Sequence, residues 1–129
     1  MDLNPLSAQI IKAAITVHKE LGPGLLESVY KTCMKIELSR IGLQVQSEVP
    51  LPIYYRGSKV MDEGFRLDLL VEDQIIVELK SAERVLPIHL KQLLTYLRLA
   101  DNPLGLLINF NQIMLKDGIY RIANSPAGG

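Results

Sequence analysis

The sequence contains no tryptophan, a single cysteine and no excess charge of either sign. Because Cys33 is the one cysteine among 129 residues, neither an intrachain disulfide nor a cysteine-based metal site can form. We therefore expect a reducing compartment, the cytoplasm. Lys and Arg together number 14, as do Asp and Glu, so the formal net charge is zero. Binding of nucleic acid by bulk electrostatics is disfavoured, although a local basic groove is compatible with this balance.

The chain also lacks any stretch typical of a signal peptide or a membrane span. It begins without a basic segment, and His18, Lys19 and Glu20 interrupt its first apolar stretch. No run is long enough to cross a bilayer, so we expect no membrane attachment. With 48% hydrophobic residues, the composition is that of one globular domain, which we place at 1–124. The segment 125–129 is expected to be a disordered tail.

Apolar residues at helical spacing predict two helices in the first third of the chain. The first helix runs to about Leu21, where Gly22, Pro23 and Gly24 interrupt it. The second runs from about Leu25 to Ile41. Its core-facing stripe is predicted to consist of Leu26, Val29, Cys33 and Ile36.

Strand patterns follow, with one further helix among them. Residues 43–55 alternate in polarity but contain Pro50 and Pro52, which indicates an edge strand because proline donates no ladder hydrogen bond. Strands are next predicted at 65–71 and 75–80, a helix from Pro87 to about Ala100, and strands at 104–110 and 119–122. The order α-α-β-β-β-α-β-β predicts an α/β fold with a mixed sheet of four to five strands flanked by helices.

Two carboxylates are predicted to face each other across the second and third strands. The connection Glu72-Asp73-Gln74 is short, and a register with Val71 opposite Ile75 places Asp68 opposite Glu78. Cβ atoms of opposed residues lie roughly 4.5–5.5 Å apart, so the two carboxylates repel each other.

A divalent cation would relieve this repulsion, and Mg²⁺ prefers one or two carboxylates completed by water and phosphate oxygens. Lys80 shares the face of Glu78. The pattern therefore suggests metal-assisted phosphodiester chemistry. Along the earlier strand, alternation predicts that Asp68 faces one side, while Phe65, Leu67, Leu69 and Val71 all face the other.

Each of these residues also has a purely structural interpretation. Lys80 could simply neutralise Glu78, while Asp68 pairs with Arg66 or with solvent. Glu27 suits the positive end of a helix dipole in the first turn. Other candidates are interpreted as half-buried or edge residues of helices: Tyr30, Gln92 and Tyr96.

Taken together, the motifs resemble a known family. Asp68, followed by Glu78-Leu79-Lys80 and by a helix carrying Gln92 and Tyr96, is similar to the PD-(D/E)xK nuclease superfamily. The Gln-x-x-x-Tyr spacing resembles its RecB-like exonuclease branch. The stretch from Gly24 through Glu27 to Tyr30 resembles the signature of the GxxExxY family within that superfamily. The resemblance covers Ile11 to Ile122, and Leu67 stands where the superfamily often has proline.

The resemblance implies a restriction-endonuclease-like core and a set of site residues. Asp68 and Glu78 would bind Mg²⁺ or Mn²⁺, with Glu27 as a further acid acting directly or through water. Lys80 would position or activate the attacking water. The substrate-binding residues would be Tyr30, Gln92 and Tyr96.

The expected substrate is nucleic acid, and DNA is favoured over RNA. Two alternatives stay open. One is a catalytically silent nuclease fold that only binds nucleic acid or a protein partner. The other is a homo-oligomer or a subunit, paired through the edge strand around residues 51–55.

Overall fold

A computed structural model describes residues 2–125, so the predicted tail lies outside the described residues except for Ser125. The three α-helices are α1 (Asn4–Leu21), α2 (Glu27–Arg40) and α3 (Pro87–Ala100). The five strands are β1 (Val45–Tyr55), β2 (Ser58–Val71), β3 (Ile75–Lys80), β4 (Leu104–Asn109) and β5 (Ile119–Ala123). A short 3₁₀ helix, Leu115–Gly118, precedes β5. None of the described helices is both long and apolar enough to cross a membrane.

All five strands form one sheet in the order β1-β2-β3-β4-β5. β3 and β4 are parallel, because α3 carries the chain back between them, and every other neighbouring pair is antiparallel. The predicted order of elements and the mixed sheet are confirmed. β1 lies at the edge, as expected from Pro50 and Pro52.

Helices cover the two faces of the sheet and create two hydrophobic clusters. On one face, α1 and α2 pack against the alternate side chains of β3 and β4 that include Val77, Leu79 and Ile108. On the other face, α3 packs against Ile76 and Leu107. Because both faces are covered, β4 is buried at every position, as its apolar sequence predicted.

The rotation of α2 about its axis differs from the prediction. The helix buries Tyr30, Met34 and Leu38, whereas Leu26 is 75% exposed and Ile36 is 56% exposed. Apolar residues occur on two sides of this helix, so periodicity could not distinguish them. Tertiary packing decides the rotation, since the Tyr30 ring stacks on Phe110 at a centroid distance of 4.4 Å.

β1 and β2 both change sides of the sheet partway along their length. In β2, Leu69 and Val71 pack on the α1/α2 side, whereas Phe65 and Leu67 pack on the α3 side. The prediction that these four residues share one face is therefore wrong. Glu48 in β1 has a left-handed backbone, with φ of 53°. This conformation, rare outside glycine, interrupts the pleat of β1 beside Asp68, the residue of β2 where the side changes.

The hairpin of β1 and β2 extends beyond the rest of the sheet. β2 pairs with β3 only from Leu69 to Val71, whereas its pairing with β1 continues to Tyr55 and Ser58. A two-residue loop, Arg56-Gly57, closes the hairpin with positive φ at both positions, as expected for a tight hairpin turn. Residues 52–64 are called the arm below.

The rotation of α2 can be tested with a pair of substitutions on that helix. We expect Leu38→Ala to lower the free energy of unfolding by about 2–5 kcal/mol, because it leaves a cavity in the core. Ile36→Ala should change it by no more than about 0.5 kcal/mol, because that side chain is largely in solvent. Urea unfolding followed by circular dichroism measures both. Equal losses would contradict the observed rotation.

Candidate active site

Asp68 and Glu78 hold the hairpin together at the point where the backbone ladder ends. The register pairs Val71 with Ile75, as predicted, and continues to Leu69 opposite Val77. At the next position the backbone N–H of Asp68 donates to Glu78 Oε2 at 2.9 Å. The N–H of Leu79 donates to Asp68 Oδ2 at 2.8 Å. Each carboxylate thus accepts a backbone hydrogen bond from the opposite strand, which fixes the two acids beside each other.

Lys31 of α2 contacts Asp68, one of the two acids. Its Nζ lies 3.3 Å from Asp68 Oδ1 and forms a second ion pair with Glu48. Burial by itself would lower the pKa of Lys31, but the hydrogen bond to Glu48 and the charge of Asp68 outweigh it and raise that pKa. Lys31 therefore stays charged and compensates Asp68.

Glu78 is the most perturbed acid of the site. Glu78 is buried, with only 7% of its surface exposed. Burial, followed by the charge of Asp68, raises the pKa of Glu78 to about 8. The hydrogen bond from Asp68 and the charges of Lys80 and Lys31 act in the opposite direction without cancelling the effect. Glu78 therefore resists ionisation first because it is buried and second because Asp68 lies beside it.

Tyr96 of α3 lies in the electrostatic field of both acids. Burial, followed by the charges of Glu78 and Asp68, raises the pKa of Tyr96 to about 12. Its ring stacks on Phe65 at 4.0 Å. The hydroxyl therefore stays protonated and is available as a hydrogen-bond donor. Gln92, one helical turn earlier, is exposed to solvent.

Lys80 lies at the end of β3, half-buried, two residues beyond Glu78. Alternation along the strand places both side chains on the α3 side, and the charge of Lys80 lowers the pKa of Glu78. The next segment is anchored by Asn109, a fully buried residue of β4. Its Oδ1 accepts from Ala82 N–H at 3.0 Å, and its Nδ2 donates to Ala82 O at 2.9 Å.

Tyr30 and Glu27 occupy different positions although they belong to one motif. The buried Tyr30 hydroxyl donates to Gly22 O at 2.6 Å and accepts from Leu25 N–H at 3.1 Å. It therefore holds the loop that leads into α2. Glu27, the exposed first residue of α2, lines an open cleft of about 600 Å³ together with Ser81 and Asn111.

Asp68, Glu78 and Tyr96 thus lie close enough to influence one another electrostatically, and Lys80 lies near Glu78. Among residues 2–125, no three His, Cys, Asp or Glu side chains form a cluster able to hold a metal. Glu27 accordingly does not join the two acids here. A cation at the pair would have two carboxylates and would need other ligands, which is a donor set suited to Mg²⁺ with water and phosphate.

Sequence reasoning missed Lys31 and Glu48. A weak signal existed for Lys31, because it follows Glu27 by four residues and so lies on the same side of α2. No local signal marked Glu48, whose contact with Lys31 accompanies a left-handed backbone in an edge strand.

Comparison with known proteins identifies the family of the chain. A family model described as PD-(D/E)XK nuclease superfamily matches residues 4–122. The chain belongs to the PD-(D/E)XK nuclease superfamily. Its three helices and five-stranded mixed sheet are consistent with the restriction-endonuclease-like α/β core. Neither a curated protein nor a solved structure gives a significant match.

The raised pKa of Glu78 predicts how the stability of this nuclease-superfamily protein depends on pH. The folded protein holds the Glu78 proton up to a pKa of about 8, against 4.5 for the ordinary carboxyl. The folded state therefore binds more protons than the unfolded state between these values. In EDTA, the contribution of Glu78 to the free energy of unfolding should be fully present below pH 4.5. It should be lost as the pH rises through about 8, a decline on the order of a few kcal/mol at most.

Urea unfolding of the protein and of Glu78→Gln across this pH range measures that contribution, since glutamine keeps the shape without titrating. We expect a flatter pH dependence for Glu78→Gln than for the unchanged protein. Glu27→Gln, which alters an exposed acid, serves as the control and should leave the pH dependence unchanged. Parallel curves for all three proteins would contradict the raised pKa.

Proposed function

We propose that this protein hydrolyses phosphodiester bonds of nucleic acid, DNA rather than RNA, with Mg²⁺ or Mn²⁺ held by Asp68 and Glu78. The observation that carries the proposal is the exchange of hydrogen bonds that fixes these two acids beside each other. The raised pKa of Glu78 supports it, since burial and the charge of Asp68 outweigh the positive charges of Lys80 and Lys31. When bound, a divalent cation acidifies a coordinated water and polarises phosphoryl oxygens.

The remaining residues orient water and substrate around the two acids. Lys80 holds the attacking water and offsets charge on the phosphate. The Tyr96 hydroxyl, protonated because its pKa is about 12, donates a hydrogen bond to a phosphate oxygen. Gln92, one helical turn before Tyr96, contacts the nucleic-acid backbone. Glu27 acts from the cleft through a water molecule. Tyr30 contributes to substrate binding by holding the Gly22–Leu25 loop that presents Glu27.

We further assign the chain to the GxxExxY family and the RecB-like branch. The signature residues Gly24, Glu27 and Tyr30 support the first assignment, and Gln92 with Tyr96 supports the second. A free Cys33 is compatible with action in the cytoplasm.

A second function, binding without cleavage, is favoured by a specific observation. Both oxygens of Asp68 and one of Glu78 already contact donors of the protein itself: Lys31 Nζ, Leu79 N–H and Asp68 N–H. Much of the hydrogen-bonding capacity of the pair is thus satisfied without a cation. The two functions differ in whether Mn²⁺ binds at the pair, which electron paramagnetic resonance measures directly.

Substitution of the two acids tests the proposed hydrolysis. We expect Asp68→Asn or Glu78→Gln to lower Mg²⁺-dependent cleavage of DNA by roughly 10²-fold or more, because each removes a negative ligand worth several kcal/mol of transition-state stabilisation. Both variants should also lose Mn²⁺ binding while remaining folded. Cleavage is measured on labelled oligonucleotides, single-stranded and duplex.

Asp73→Asn is the matched control for both variants. Asp73 is exposed at the opposite end of the same hairpin and has φ of 54°, which asparagine tolerates. It should leave cleavage and Mn²⁺ binding unchanged. Full activity in Asp68→Asn would disprove the assignment, whereas nucleic-acid binding without any Mn²⁺ site would support the non-cleaving alternative.

A further inference from the structure

The tip of the arm, residues 54–59, exposes two aromatic rings and two positively charged side chains. Tyr54 is 54% exposed and Tyr55 is 65% exposed, so two of the five tyrosines of the chain lie largely in solvent. From Tyr54 to Val60 the sequence contains Arg56 and Lys59 but no acidic residue. The positive charge is confined to this turn, because the arm as a whole also contains Asp62 and Glu63.

Each exposed ring is accompanied by one cation. The Arg56 guanidinium lies 5.6 Å from the centroid of the Tyr55 ring, and its Nε donates to the Tyr55 hydroxyl at 3.3 Å. Lys59 Nζ lies 5.8 Å from the centroid of the Tyr54 ring and also pairs with Asp62 at 3.2 Å. Because Tyr54 and Tyr55 are consecutive in a strand, they project to opposite sides of the hairpin. Each side of the hairpin therefore exposes one aromatic ring with one positively charged side chain near it.

The two residues that flank the arm, Leu51 and Phe65, pack beside the candidate active site. Leu51 and Phe65 pack in the cluster on the α3 side, and the Phe65 ring stacks on Tyr96. Asp68 lies on the same strand as the tip, ten residues after Ser58. At a rise of about 3.3 Å per residue, the tip lies at most about 33 Å from Asp68. A stacked nucleic-acid strand covers that distance with about ten nucleotides.

We propose that the arm is a second contact site for the substrate, which binds a single-stranded segment of nucleic acid within about ten nucleotides of the bond to be cleaved. Bases stack on Tyr54 and Tyr55, while Arg56 and Lys59 contact phosphates. Aromatic platforms combined with positive charge are the usual means of binding unpaired nucleic acid without sequence preference. This inference rests on the proposed function in taking nucleic acid as the substrate.

The same features disfavour a second copy of the chain as the partner of the arm. Pro50 and Pro52 interrupt the free edge of β1, and proline cannot donate the hydrogen bonds that edge-to-edge pairing needs. Contact between two symmetry-related tips would also bring Arg56 and Lys59 close to their own copies. Phosphate groups instead complement both charges.

Binding can be measured separately from cleavage in the Asp68→Asn background. We expect Tyr54→Ala combined with Tyr55→Ala to weaken binding of a fluorescent single-stranded 24-mer by at least about tenfold, because base stacking on one aromatic ring contributes a comparable factor. The matched control is Tyr54→Phe with Tyr55→Phe, which keeps both rings and should bind within about twofold of the parent. Circular dichroism checks that each variant is folded, and the single alanine substitutions replace the double one if it is not.

Charge and strandedness provide two further measurements. Arg56→Gln with Lys59→Gln should reduce the slope of log affinity against log salt by about 1 for each phosphate that the variant no longer neutralises. A duplex of the same sequence, whose bases are already stacked, should be much less sensitive to the alanine substitutions than the single strand.

The outcomes separate the arm from the hydrolysis. Arm-dependent binding by a protein that never cleaves would uphold this inference and overturn the proposed hydrolysis. If the protein cleaves and all arm variants bind equally well, the proposed hydrolysis is upheld and this inference is wrong. If the alanine variants instead convert a dimer to a monomer in size-exclusion chromatography while binding is unchanged, the arm is a self-association surface and the inference is wrong.

Discussion

Asp68 and Glu78 each accept a backbone hydrogen bond from the strand that carries the other, and the geometry of the site depends on this exchange. The two bonds replace the backbone ladder at the point where β2 and β3 begin to separate. They hold two acids side by side even though the charges repel each other. Burial, followed by that repulsion, raises the pKa of Glu78. A position that stabilises the hairpin is therefore also one that favours a cation.

The position of the pair between two helical layers determines what else reaches it. Asp68 lies where β2 changes sides of the sheet, so its carboxylate contacts Lys31 from α2. From the α3 side, Tyr96 lies in the electrostatic field of both Glu78 and Asp68. The site thus receives a positive charge from one layer and a protonated hydroxyl from the other. Neither helix by itself could provide both groups.

Local sequence patterns predicted the hairpin register and failed for α2 and for part of β2. The register was predictable because Glu72-Asp73-Gln74 leaves few ways to pair two apolar strands. The rotation of α2 was not, since apolar residues occupy two sides of the helix and stacking of Tyr30 on Phe110 decides between them. The change of side in β2 was also hidden, because it accompanies the unusual backbone of Glu48 in a neighbouring strand.

The sequence by itself determined the order of elements, the edge position of β1 and the opposition of Asp68 to Glu78. These features follow from neighbours along the chain: periodicity, proline and the length of one turn. Only the tertiary structure decided that Lys31 and Glu48 adjoin the acids, that Tyr30 supports a loop, and that the tip of the hairpin extends beyond the sheet. Each of these depends on contacts between residues far apart in sequence, whose packing no local pattern encodes.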